Sequence, residues 1–176
     1  MFAKKISEIE ELIKKQDEWR WQCLNLIASE NVMSRRARAC GCSDFAHRYA
    51  EGHPGERYYR GTSFIDEIES QLKTNLKIIF ECDHCEVRPI SGTNANEAVF
   101  SRFVGPGDVV MVNSTPGGGH ISHHRRGSLG KFTHNIIDFP VTADGYHIDI
   151  EKAAYLIEKT RPKLIVVGKS LFLFPE

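Results

Sequence analysis

Apolar residues recur every three or four positions in two long stretches of the chain. Between Lys5 and Lys15 these are Ile6, Ile9, Leu12 and Ile13, with charges on the other faces. The spacing predicts an amphipathic N-terminal helix, with Trp19 and Trp21 just beyond it. Between Phe64 and Phe80 they are Ile65, Ile68, Leu72, Leu76 and Ile79, the clearest helical pattern in the chain. There Asp66, Glu67 and Glu69 precede Lys73 and Lys77, the order the helix dipole favours. Ser34 is placed to cap a short helix reaching about Cys42, and Asp149 to cap one reaching about Thr160.

Shorter apolar runs predict strands at Cys85–Ile90, Val109–Val112, Asn135–Phe139 and Leu164–Val167, with a helix from about Asn94 to Phe103 between the first two. Gly105–Asp108 and Asp144–Gly145 read as turns, and Asn113–His120 as a flexible loop. Helices and strands alternate from Phe64 onward, which predicts an α/β fold with a largely parallel sheet. The expected division is an N-terminal helical segment over residues 1–45 and an α/β part over 46–176.

The 176 residues carry zero net charge, 41% hydrophobic and 26% charged side chains, the profile of a soluble globular domain with no attraction for a polyanion such as nucleic acid. No apolar run approaches the roughly 20 residues that span a bilayer. The first residues lack an apolar signal core, and five cysteines suit reduced thiols. A cytoplasmic location is expected. The final Leu171-Phe-Leu-Phe-Pro-Glu176 follows directly on a strand-like run, which suggests a piece of a longer protein.

The segment Tyr49-Ala-Glu-Gly-His-Pro-Gly-Glu-Arg-Tyr-Tyr-Arg-Gly61 stands apart. Gly52, Pro54, Gly55 and Gly61 forbid a continuous helix or strand. Between them sit phenols, carboxylates and guanidinium groups, which such a loop can hold still for chemistry; an ordinary charged surface loop has the same composition. Ser91-Gly92-Thr93, between a strand and a helix start, offers hydroxyls and free N–H groups to a phosphate, although Ser and Thr also cap helices without any ligand. Gly117–Gly119 delivers His120, whose ring suits a planar guest or is simply a loop histidine. Ser29-Glu30-Asn31, three hydrogen-bonding side chains in a row, reads on its own as local turn and cap chemistry. Gly168-Lys169-Ser170 lacks the earlier glycine of a P-loop, since Lys163 stands there. Cys40, Cys42, Cys82 and Cys85 could supply four thiolates to zinc, but their spacing matches no standard ribbon, and no metal is assigned.

Leu26-Ile-Ala-Ser-Glu-Asn31, Tyr49–Gly55, Arg57-Tyr-Tyr-Arg-Gly61, Ser91-Gly-Thr-Asn-Ala-Asn96 and Gly118-Gly-His120 together resemble serine hydroxymethyltransferase, in order and across most of the chain. The resemblance implies a fold type I, aspartate-aminotransferase-like three-layer α/β/α domain, pyridoxal 5'-phosphate, and a homodimer with shared active sites. It implies that Ser91, Gly92 and Thr93 hold the cofactor phosphate, that His120 stacks on its ring, and that Ser170 bonds its phenolic oxygen. Ser29 would help hold the carboxylate of serine or glycine. Tyr49, Glu51 and Tyr59 would reach the partner's site, with Glu51 handling a proton. Glu51, Tyr58 and Gly119 would lie beside a reduced pterin, tetrahydrofolate or tetrahydromethanopterin, since some archaeal relatives use a methanopterin. The cofactor-binding lysine and the carboxylate-binding arginine of the family fall beyond Glu176, so these 176 residues alone are expected to be inactive. Two other readings stay open: a threonine or allo-threonine aldolase sharing fold and cofactor, and a non-catalytic Cys-rich module.

Overall fold

The computed structural model describes residues 2–27 and 29–176. Met1 and Ala28, the latter inside the Leu26–Asn31 motif, lie outside the described residues. The chain divides into two compact units, residues 1–31 and 32–176.

In the first unit, α1 spans Phe2–Trp21. It outruns the predicted Lys5–Lys15 stretch, and Trp19 and Trp21 lie inside it rather than beyond it. No glycine or proline interrupts the chain before Gln22, and Gln, Glu and Arg propagate a helix well. Its Ile6, Ile9, Leu12 and Ile13 stripe is exposed. Beyond it the Glu30 N–H closes a turn on the Ile27 carbonyl.

The second unit opens with α2, Arg35–Cys40. Ser34 caps it, its Oγ accepting the Ala37 N–H at 3.2 Å. The helix stops at Gly41, short of Cys42. The glycine-broken segment is more ordered than its breakers predict. Strands β1 (Gly52–His53) and β2 (Glu56–Arg57) pair antiparallel around Pro54–Gly55. Helix α3 follows over Ser63–Phe80.

The strand predicted at Cys85–Ile90 does not form. A strand needs a ladder partner, and none lies beside these residues among those described. Instead Glu86 takes the donors locally. Its Oε1 accepts the backbone N–H groups of Val87 at 2.9 Å and Arg88 at 3.0 Å, while the Arg88 guanidinium forks onto both oxygens. These hydrogen bonds hold the Glu86 carboxyl down at about 2, with Arg88 the leading cause.

Helix α4 runs Gly92–Phe103, starting two residues earlier than predicted. Then come β3 (Val110–Val112), β4 (Ile136–Asp138), α5 (Ile150–Thr160) and β5 (Leu164–Val166). The three strands form a parallel sheet in the order β4-β3-β5, with Met111 level with Ile137 and Ile165. The chain leaves central β3 for one edge, then returns through α5 to the other. Asp149 caps α5 as predicted, accepting the Lys152 N–H at 3.1 Å.

Alternation along β3 divides the core between the two sheet faces. Val110 and Val112 pack with Phe100, Val104 and Leu129 on the α4 side. Met111 packs with Phe139, Ile148 and Ala153 on the α5 side. All three β3 residues are fully buried, as expected of a parallel strand covered on both faces.

Candidate functional site

In open parallel sheets the loops beyond the carboxyl ends of the strands form the binding crevice. Here the chain beyond β3 meets the chain beyond β5. Asn113, 2% exposed, accepts the Gly168 N–H on Oδ1 at 3.1 Å. The Gly118 carbonyl accepts the Ser170 N–H at 2.7 Å. This close approach needs glycine. A Cβ on Gly119 would stand 2.0 Å from the Asn113 carbonyl oxygen, and Gly118 adopts φ +94°. The sequence shows three glycines in a row; which backbone they let in is visible only in three dimensions.

His120 leaves this crossing exposed to solvent, with its ring tethered. Its Nδ1 lies 2.8 Å from Ser122 Oγ and 3.2 Å from the Ser122 backbone nitrogen. Ser122 Oγ in turn accepts the Asn96 side-chain amide of α4 at 3.0 Å. Two hydrogen bonds therefore link His120 to the helix that Ser91 begins. Ser91 is the N-cap, accepting the Asn94 N–H at 3.1 Å, and Ser91, Gly92 and Thr93 are exposed. The first N–H groups of a helix have no intrahelical acceptor. With the two hydroxyls they make a donor set suited to a dianionic phosphate. A phosphorylated planar ring fits the residue types present: donors at the start of α4, an imidazole tied to α4 through Ser122 and Asn96, and Ser170 at the crossing.

Lys169 takes no part. Its ammonium is held by the Tyr146 carbonyl at 2.9 Å and by the Glu176 carboxylate.

The glycine-broken segment forms a second cluster. Tyr49 and Tyr59 stack at 5.5 Å, and Tyr58 stands edge-on to Tyr59 at 5.7 Å. Tyr49 is 76% and Tyr58 85% exposed; Glu51 is also exposed. Arg57 holds this loop. Its side chain is 3% exposed, and the guanidinium pairs with Asp66 at 2.7 Å and Glu69 at 2.5 Å on α3. It also donates to the carbonyls of Ala50 at 2.6 Å and Gly52 at 2.8 Å, the neighbours of Glu51. Arg57 leads in holding the Asp66 carboxyl below its usual range, and Lys73 followed by Arg57 does so for Glu69. Ser29 lies exposed in its turn in the first unit.

Sequence reasoning missed Asn113, Ser122, His123 and the clamping role of Arg57. The only signal was polar residues adjoining the glycine and tyrosine motifs. Among the described residues no group of three His, Cys, Asp or Glu side chains is set to hold a metal ion. No helix among them is long and apolar enough to cross a membrane.

A family model described as serine hydroxymethyltransferase matches residues 2–173. A protein of that name from Saccharolobus islandicus is 43% identical over 175 residues, covering 99% of this chain and 40% of its own length. Proteins of the same name from Metallosphaera sedula and Staphylothermus marinus are 40% and 42% identical over 98% and 97% of this chain. The chain thus spans about 40% of the length of these relatives.

Proposed function

The chain belongs to the serine hydroxymethyltransferase family, and from that premise we propose that it serves the pyridoxal-phosphate-dependent interconversion of serine and glycine, with the hydroxymethyl carbon passed to a reduced pterin. The observation that carries this reading is the hydrogen-bonded run from Asn96 through Ser122 to His120. It ties an anion-ready helix start to an exposed imidazole, while Gly118 ties the same loop to Ser170. The parallel sheet covered on both faces supports the fold type I, three-layer architecture.

In this reading Ser91, Gly92 and Thr93 hold the phosphate, His120 covers one face of the ring, and Ser170 meets its phenolic oxygen. When bound, the cofactor supplies an electron sink for the substrate's α-carbon. Ser29 contacts the substrate carboxylate. Tyr49, Glu51 and Tyr59 serve the site of the other protomer in a homodimer. Exposed apolar stripes support such a pairing: Ile6, Ile9, Leu12 and Ile13 on α1, Phe64, Ile68 and Ile79 on α3. Between protomers, the Glu51 carboxyl would be placed to move a proton at the serine hydroxyl. Tyr58 and Gly119 lie on the pterin side, and the close match to archaeal relatives leaves both tetrahydromethanopterin and tetrahydrofolate as carriers to test.

The experiment is turnover by the full-length protein. We expect serine-to-glycine conversion dependent on one of the two pterins. Glu51→Gln should depress it by a factor of roughly a hundred or more, the scale of general acid–base catalysis, with cofactor binding retained. Threonine cleavage with no pterin-dependent serine turnover would replace this reading by an aldolase.

A further inference from the structure

We propose that Asn96 and Ser122 are positioning residues that lock the His120 ring in the tautomer that carries its proton on Nε2. His120 then meets its ligands as a hydrogen-bond donor and not as a base. The significance for catalysis rests on the functional reading above; the lock itself does not.

The directions of the hydrogen bonds follow from one group that has no choice. The backbone N–H of Ser122 can only donate, and it lies 3.2 Å from His120 Nδ1. That nitrogen is therefore unprotonated, and the ring proton is on Nε2. The Ser122 hydroxyl, 2.8 Å from the same nitrogen, must donate to it as well. Its oxygen is then free to accept, and the Asn96 amide supplies a hydrogen at 3.0 Å. The second amide hydrogen of Asn96 lies against His123 Nε2 at 3.2 Å. His123 must accept there, which places its own proton on Nδ1.

His123 closes the device from behind. It is 6% exposed, and its Nδ1 is buried with no hydrogen-bond partner among the described residues. Phe100 meets the ring edge-on at 6.3 Å and His120 at 6.1 Å. The groups facing it are Asn96 and Phe100 of α4 and the imidazoles of His120 and His124; no carboxylate is among the groups that perturb it. Burial first, then His120 and His124, hold its basicity below the usual histidine range. A protonated His123 would confront the Asn96 amide donor to donor and would leave a second buried N–H unpaired. His123 therefore stays neutral, Asn96 stays oriented, and the Ser122 hydroxyl keeps pointing at His120.

The test uses the full-length protein with ¹⁵N-labelled histidine. Long-range ¹H–¹⁵N correlation at pH 7.5 is recorded without and with pyridoxal phosphate, signals being assigned by His120→Gln and His123→Gln. We expect a pyridine-like Nδ1 for His120 and a pyridine-like Nε2 for His123 in both states. Ser122→Ala should move His120 toward tautomer averaging and weaken cofactor binding roughly five- to tenfold, the scale of one lost hydrogen bond, and Ser122→Thr should restore both. Asn96→Asp places an acceptor where a donor is required, so the Ser122 hydroxyl should turn away from His120, the His120 nitrogen spectrum should move toward tautomer averaging, and cofactor affinity should fall. An Nδ1-protonated or doubly protonated His120, or variants that leave both nitrogen spectra unchanged, would overturn the lock. If both tautomers are as stated but the cofactor does not bind, the lock stands and the functional reading falls.

Discussion

At the scale of single residues, Arg57 is the side chain whose role is least apparent from its neighbours in the chain. It stands among phenols and carboxylates suited to chemistry, yet its own guanidinium is buried and spent on four acceptors. Two of these are the carbonyls flanking Glu51. A lysine keeps the charge but presents three donors at one point, not a planar fork. Arg57→Lys should therefore release the backbone on both sides of Glu51. The expected outcome in the full-length protein is a serine turnover lower by on the order of ten- to a hundredfold, the penalty of small misplacements near a reacting group. Cofactor affinity should be nearly unchanged, because Ser91, Thr93 and His120 are held by separate contacts. Equal losses in turnover and cofactor affinity would refute a role confined to the loop.

At the scale of elements, β3 bears the packing that keeps the two loops in place. Val110 and Val112 face α4, whose first turn carries the donors proposed for the phosphate, and Met111 faces α5. Asn113, the next residue, stitches β3 to the chain beyond β5. Met111 is fully buried, so Met111→Ala should cost about 2–5 kcal/mol through lost transfer energy and a residual cavity. Urea unfolding of the full-length protein measures this, and a loss below about 1 kcal/mol would mean that the α5 layer collapses onto the gap. The same element scale explains the missing strand at Cys85–Ile90. Its donors are satisfied by Glu86 because no neighbouring strand competes for them.

At the scale of the whole molecule, the shifted groups give a direction to acid sensitivity. His123 is less basic folded than unfolded, so the unfolded chain binds its proton first. Stability is therefore complete above about pH 6.5, the ordinary histidine value, and falls as pH drops through that value. Asp66 and Glu69 are more acidic folded, so their contribution is present above about pH 4 and is lost below it. Thermal unfolding of the full-length protein should show a first decline that begins as pH falls below about 6.5 and a steeper one below about pH 4. Asn96→Asp, by giving His123 a carboxylate neighbour, should abolish the first step and leave the second. A midpoint constant from pH 7.5 to 5 in the wild type would contradict the buried neutral His123.

What the sequence determined by itself is whatever depends on neighbours three or four residues away. The α3 stripe, the Ser34 and Asp149 caps and the parallel α/β alternation all rest on such short spacings, and each is present; the helix expected from about Asn94 is present too, beginning two residues earlier at Gly92. The five loop motifs were legible as well, because a family's chemistry is written in residue types, and the family match spans them. Tertiary structure decided what depends on distant partners: whether Cys85–Ile90 found a strand beside it, which carbonyls Arg57 reached, and how Asn96 met Ser122 across 26 positions of chain. A helix satisfies its backbone within its own turns, whereas a strand ladder or a buried polar network is completed only by groups that folding brings from elsewhere.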